Sequence, residues 1–417
     1  MRSLRCLVAV FVTALPLRTV AQSGHAPAQT EFLQAVISAP ALTAAGQRTQ
    51  ASRERVGSAG RLADVEVEGM GSRMVGPMDE RATMWEVNVR QPLPKRGERA
   101  AERERARALV AMSEADYALM AGEMAADVAV AIAEADGATE RIRLLERQIQ
   151  RLDAVLRSVE SRIASGGGRI ADRLTVQTRI AEMQLMIEEE RRMSEDALAD
   201  ARGRLGLGPD QALPDYAAPA GDRIRPDDAA AIRLAAARTS EAHAMVKMAR
   251  ASARPMTSVG IRFEQERRAM GDENSLGLAF MTDLPFRSRR YARAEARAAE
   301  AERDAAETDA RAVRYRISSA LTRVDRAERL AATARKLSAD TLVRLNAEYD
   351  AMVRSAGVGV AGAMGDSTVL QTVEILEKTT AAELQVIRAD TAVRAARAEL
   401  WRYVPADEFL TDNQDPS

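Results

Sequence analysis

Hydrophobic and polar residues alternate with two different periods along this chain, and each period predicts a different kind of element. Alternation at every second residue predicts four β-strands. These strands span residues 62–69, 83–90, 257–264 and 275–281. In the second strand Trp85, Val87 and Val89 fall on one side, and Glu86 and Arg90 fall on the other. Each strand is therefore expected to have one apolar face and one polar face.

A helical period follows each pair of strands. After Pro94 an almost unbroken helical pattern continues to Ser165, a length of about 100 Å at the rise of an α-helix. In its distal part apolar residues recur at alternating spacings of three and four, which is typical of a coiled coil. They are Ile142, Leu145, Ile149, Leu152, Leu156, Val159 and Ile163. Three glycines at 166–168 then break the pattern, so we predict a helical hairpin over residues 96–205.

The second half of the chain repeats the plan of the first half. When "QPLPKRGERAAER" is laid over "TDLPFRSRRYARA", Leu93-Pro94 falls on Leu284-Pro285 at the junction of strand and helix. The predicted fold is mainly α with β, built from a duplicated unit of helix, β-hairpin and long coiled-coil helical hairpin. We predict a first repeat over 22–206, a linker over 207–226, a second repeat over 227–404 with its helical hairpin at 286–403, and a disordered tail over 405–417.

The first 21 residues have the pattern of a secretory signal peptide. Arg2 and Arg5 precede the apolar stretch "LVAVFVTAL", and small residues end at Ala21. Removing this segment takes away three arginines, no acidic residue and the only cysteine, Cys6, so the formal net charge changes from −1 to −4. No later segment has the length of a transmembrane helix. A membrane location would therefore have to use the strands.

Composition argues against catalysis and against nucleic-acid binding. The 60 Lys and Arg residues nearly balance the 61 Asp and Glu residues, so there is no overall positive field to attract nucleic acid. The two histidines, His25 and His243, are too far apart in sequence for ligand spacing. The sequence contains no glycine-rich phosphate loop and no plausible catalytic triad. We predict that the protein is not an enzyme and has no cofactor or metal site.

The strands have the length and alternation of transmembrane β-strands. Such strands have about 9–11 residues, with apolar side chains toward lipid and polar side chains inward. Four strands cannot close a barrel, and lipid does not tolerate an open sheet edge, so other copies must complete the sheet. The charged faces would then line a lumen. The residues predicted to line it are Glu66, Glu68, Glu86, Arg90, Arg262 and Glu264.

This duplicated plan resembles the TolC family of outer-membrane efflux channels. The arginine-rich strand exits "QPLPKRGERAAER" and "LPFRSRR" resemble most the CzcC and CusC type, which serves heavy-metal pumps. The resemblance implies a homotrimer that forms a 12-stranded transmembrane β-barrel, continued by a periplasmic α-helical tunnel. It implies a passive conduit in the outer membrane of a Gram-negative bacterium, with outer-membrane lipid, a periplasmic membrane-fusion adaptor and an inner-membrane RND-type pump as partners.

The resemblance also assigns roles to the tips of the two helical hairpins. Asp366 and Asp172 correspond to the acidic pore entrance, and Asp366 could also be the N-cap of the last helix, a role that is compatible with a place in the pore. Val369 occupies a position that is acidic in some relatives, which is a departure from the pattern. The residues implied in adaptor docking are Arg162, Gly166, Gly167, Gly168, Gly357 and Gly359.

Two other functions are compatible with parts of the sequence. The same type of channel could export drugs or proteins, because cargo choice in this family lies mostly in the pump. A soluble periplasmic coiled-coil adaptor would also contain a helical hairpin, but adaptors usually carry one hairpin flanked by β-rich domains, whereas this chain has two.

Overall fold

The computed structural model describes residues 27–75, 81–216, 218–219, 224–268, 271–283, 288–357 and 367–410. Helices make up most of this part of the chain, and all but the short α8 follow the order that the periodicity predicts. The helices are α1 (Pro27–Ile37), α2 (Pro40–Ser58), α3 (Glu98–Ala164), α4 (Ile170–Leu205), α5 (Ala230–Ser252), α6 (Ser288–Gly357), α7 (Ser367–Ala398) and α8 (Asp407–Leu410). The strands are β1 (Glu66–Val75), β2 (Arg81–Leu93), β3 (Met256–Arg268) and β4 (Gly271–Asp283).

The four strands form one antiparallel sheet in the order β1-β2-β3-β4. Val67 is paired with Val89, Val89 with Ile261, and Ile261 with Leu278, so apolar residues from all four strands share one row. Both hairpins turn at the same end of the sheet, and the long helices begin at the opposite end. β1 and β4 are the edge strands.

Strand limits differ from the predicted ones at several ends. β1 begins at Glu66 rather than at 62, and in the preceding segment the Ala63 carbonyl accepts a hydrogen bond from the Gln91 side chain at 2.7 Å. β3 and β4 extend four residues further toward their turn than predicted, where Glu266 is paired with Glu273. Backbone ladder bonds continue through such polar pairs, so the apolar alternation ends before the strands do.

The long helices pack through the seam that the heptad spacing indicates. Leu145 and Leu152 of α3 are buried in one cluster with Val176 and Met183 of α4, and α7 adds residues such as Leu376. The 67-residue α3 therefore runs against its return helix along the distal half of its length. Among the described residues, every helix is too short or too polar to cross a membrane.

The C-terminal end of the chain is more ordered than the expected tail over 405–417. Phe409, in the short helix α8, is buried beside Trp401, whose ring also lies 5.6 Å from that of Phe32. Arg233 donates two hydrogen bonds to the Asp407 carboxylate, at 2.6 and 2.7 Å, and this partner lowers the pKa of Asp407. These contacts between distant parts of the chain fix residues up to 410, and residues 411–417 lie outside the described part.

Candidate channel wall and entrance

One face of the sheet is apolar and exposed. Trp85 is 59% exposed, and on the edge strand β4 Leu276 and Leu278 are 77% and 75% exposed. The exposed apolar members of this face are Val67, Trp85, Val87, Val89, Leu93, Ile261, Phe263, Leu276, Leu278 and Phe280. A continuous apolar surface of this kind marks contact with lipid or with another protein.

The opposite face of the sheet carries charged side chains that pair with one another. The Nε of Arg90 donates to Glu66 Oε2 at 2.5 Å. Arg262 donates to Glu86 Oε2 at 2.8 Å and also lies 3.8 Å from Glu264 Oε2. All six residues predicted to line a lumen, including Glu68, have the strand register of this polar face.

The polar face is also more acidic than the sequence analysis indicated. Glu266 and Glu273 belong to it, as does Asp283 near the helices. The alternation that includes Glu264 continues to Glu266 in "RFEQERR". A strand predicted two residues longer would therefore have included Glu266 on the polar face. By strand register, the acidic residues on this face outnumber its three arginines, Arg90, Arg262 and Arg268.

Glycines shape the tip of the first helical hairpin. Gly166 has φ +83°, in the left-handed region, and the Gly167 N–H donates to the Arg162 carbonyl at 2.9 Å. A Cβ on Gly168 would lie 2.7 Å from the backbone nitrogen of Ile163. The predicted docking residues of this tip, including the half-buried Arg162, thus lie together in one tight turn between α3 and α4.

Asp172 lies beside this turn, at the end of the molecule far from the sheet. It belongs to the first turn of α4, and only 9% of it is exposed. The apolar side chains of Ile170 and Leu174 are instead exposed on the same helix end, by 61% and 54%. The heptad pattern does not reveal these two residues, because they fall outside the apolar seam of the hairpin.

The second tip is described only at its borders. Gly357 is the last residue of α6, and α7 begins at Ser367. The predicted sites Gly359 and Asp366 lie outside the described residues. Val369 is buried in the cluster shared with α3 and α4, so it packs against other helices of its own chain.

An ion pair links the two hairpins near their tips. The Nε of Arg179 on α4 lies 3.0 Å from Glu377 Oε1 on α7, and Arg179 also donates to Glu182 at 2.6 Å. Across the described ranges, no group of three or more His, Cys, Asp or Glu side chains is arranged to hold a metal ion.

Solved structures of membrane proteins share this fold. A membrane protein from Pseudomonas aeruginosa matches with a TM-score of 0.71 and 17% identity, over 91% of this chain and 90% of that chain. VceC, the outer membrane protein of Vibrio cholerae, matches with a TM-score of 0.72 and 13% identity, over 90% and 96% of the two chains. CusC, which forms a transmembrane channel, matches with a TM-score of 0.69 and 15% identity, over 90% and 91%.

The fold is thus similar to that of solved outer-membrane proteins such as VceC. At the sequence level, residues 33–204 match the family described as "Outer membrane efflux protein". No curated protein matches the sequence. The similar TM-scores of CusC and VceC give the heavy-metal type no preference over the others.

Proposed function

We propose that this chain is the outer-membrane channel component of a tripartite efflux system, acting as a passive conduit gated at its periplasmic tip. The observation that carries the proposal is the four-stranded sheet, which has an exposed apolar face, an acidic face and two unpaired edges. The family match over residues 33–204 supports it.

The unpaired edges require other copies of the chain. In hydrocarbon each unsatisfied backbone N–H or C=O costs several kcal/mol, so β1 and β4 both need partners. β1 and β4 run in opposite directions, so β4 of one copy can continue the antiparallel sheet into β1 of the next. Three copies give twelve strands, enough to enclose a water-filled lumen lined by the acidic face.

The helices then extend from the barrel into the periplasm as a tunnel. α3 has 67 residues, a length of about 100 Å. At the far end of α3, the exposed Ile170 and Leu174 lie beside the glycine turn. These two side chains and the turn together offer an apolar surface for a membrane-fusion adaptor. An inner-membrane RND-type pump would load the tunnel through that adaptor.

Gating would occur where the hairpins meet. Opening the entrance separates α7 from α4 and breaks the contact between Arg179 and Glu377. Asp366, repeated around a threefold axis, would place acidic groups at the closed entrance, and their mutual repulsion favours opening. Asp172, on the first hairpin, is only 9% exposed within its own chain and would contribute less to this repulsion.

Heavy-metal cations are the cargo that the charge distribution favours. Acidic side chains outnumber arginines on the polar face of the sheet, which attracts cations and repels anions. The strand exits at Arg96 and Arg287 also resemble the CzcC and CusC type. Export of drugs or proteins through the same conduit is the alternative, and it requires a different pump.

The two tryptophans allow a direct test of the sheet in lipid. Trp85 is exposed on the apolar face, whereas Trp401 is fully buried. In a Trp401→Phe variant reconstituted into vesicles with brominated acyl chains, we expect strong quenching of Trp85 fluorescence and a trimeric mass in detergent. A Trp85→Phe variant, which keeps only Trp401, should be quenched much less. A monomer that is stable in plain buffer, with Trp85 unquenched, would instead support a soluble adaptor.

A further inference from the structure

We propose that a row of outward-facing arginines, Arg73 and Arg267, binds the phosphate groups of anionic lipid in the outer leaflet of the membrane. This row lies at the turn end of the sheet, on the apolar face. The inference rests on the proposed function, because it requires that this face contacts lipid.

Strand register places these side chains together. Arg73 is paired with Thr83, Thr83 with Arg267, and Arg267 with Asp272, which makes one row across all four strands. This row has the same parity as Trp85, two residues along β2, and therefore faces outward. Arg73, Arg267 and Asp272 are exposed.

The distance along the strands puts this row at the level of lipid head groups. On β3 the apolar face begins with Thr257 at the helix end and reaches Arg267 ten residues later. At about 3.3 Å per residue and a strand tilt of about 40°, that is a height of about 25 Å, the usual height of the apolar band of an outer-membrane barrel. Trp85 then lies just inside the boundary, where aromatic girdles occur.

The guanidinium groups are available for a ligand. Within the described part of the chain Arg73 makes no ion pair. Arg267 uses its Nε toward Asp272 Oδ2 at 3.3 Å, and its side chain is still 66% exposed. Guanidinium groups bind phosphate through paired hydrogen bonds, and long arginine side chains reach from an apolar surface to the head groups.

The two ends of the apolar face differ in charge. The row at the helix end contains Leu93, Thr257 and Thr282, none of which is charged. Cationic side chains on this face therefore occur at the turn end alone among the described residues. Because Arg73 and Arg267 lie at the end opposite the helices, the lipid phosphates that they bind should belong to the leaflet that is farther from the helices.

The binding can be measured by native mass spectrometry of the reconstituted channel. The probes are vesicles of pure phosphatidylcholine and of equimolar phosphatidylcholine and phosphatidylglycerol. We expect the wild type to retain phosphatidylglycerol. Arg73→Gln and Arg267→Gln should each weaken this binding about fivefold. The matched control is the double variant Arg48→Gln/Arg55→Gln, which removes the same charge from exposed positions of α2 and should retain lipid like the wild type.

Two outcomes would overturn the inference while leaving the proposed function intact. One is equal phosphatidylglycerol retention in the wild type and in an Arg73→Gln/Arg267→Gln double variant, with Trp85 still quenched by brominated chains. The other is that inorganic phosphate alone saturates Arg73 and Arg267 when its concentration equals that of the lipid phosphate groups in the vesicle experiment. Absence of Trp85 quenching in every sample would instead remove the proposed function itself.

Discussion

The turn at the first tip depends on two glycines for different physical reasons. Gly166 requires the left-handed backbone region, which costs other residues roughly 1–2 kcal/mol. Gly168 has an ordinary φ, but the backbone of Ile163 occupies the space that a Cβ would need. The "SGGG" stretch predicts a chain reversal, but it does not show which glycine needs a left-handed backbone and which needs space. The space at Gly168 depends on packing against Ile163.

Alanine substitutions should separate the backbone requirement at Gly166 from the steric requirement at Gly168. We expect Gly166→Ala to lower the free energy of unfolding by about 1–2 kcal/mol, and Gly168→Ala by about 1–3 kcal/mol because a backbone contact must shift. Denaturant titration of the solubilised protein measures both. The control is Gly203→Ala, in α4 with open space around it, which should be neutral or stabilise by up to about 1 kcal/mol. A Gly166→Ala protein as stable as this control would contradict the argument.

At the scale of elements, the sequence predicts what local periodicity determines. The four strands and the long helices follow from the alternation of Trp85, Val87 and Val89 and from the heptads around Leu152. The helix α8 does not follow, because Phe409 is held by Trp401 and by a cluster that includes Phe32, nearly the whole chain away in sequence. The last ladder pairs of β3 and β4 escape prediction for another reason: their side chains are polar on both faces.

The C-terminal contact should be a substantial part of the stability of the helical region. Phe409→Ala removes a ring that is 1% exposed, so we expect a loss of about 3–5 kcal/mol. Thermal unfolding followed by circular dichroism measures the loss. A change below about 1 kcal/mol would mean that α8 detaches without consequence.

Asp407→Asn provides the matched control on the same helix. The Arg233 partner lowers the pKa of Asp407, so its stabilisation is present above the pKa of the unfolded chain and disappears as the pH falls through the folded pKa. Because the pair is partly exposed, we expect a loss of no more than about 1 kcal/mol at pH 7. The difference from wild type should vanish below the folded pKa.

For the whole molecule, the sequence indicates which faces of the strands differ but not how copies of the chain meet. That Glu86 and Arg262 lie on polar strand faces is predictable from alternation along each strand, whereas the β2–β3 pairing that brings them together joins the two halves of the chain. Pore entrance and docking surfaces are less predictable: Ile170 and Leu174 belong to no periodic pattern, and an acidic ring requires several subunits. Such features depend on contacts between chains, which a single sequence encodes only indirectly.

In the channel proposed above, charge selectivity is the property that the sheet should control. In Glu86→Gln/Glu264→Gln the two carboxylates around Arg262 are neutralised, which leaves the arginine positive and unpaired. We expect the cation-to-anion permeability ratio in planar bilayers to fall by roughly fivefold. Glu31→Gln/Glu54→Gln, an equal charge change on exposed positions of α1 and α2, should leave the ratio unchanged. Equal ratios in all three proteins would show that the polar face does not line the conducting path.

In the assembly proposed above, the unpaired edges of the sheet have a genetic consequence. A copy whose β4 can no longer pair still presents an intact β1 to its neighbour. It would therefore join an assembling barrel and prevent its closure. Defective subunits would in this way inactivate complexes that contain normal subunits from the same cell. A loss-of-function allele of this kind would be dominant, whereas an allele that removes the whole protein would be recessive.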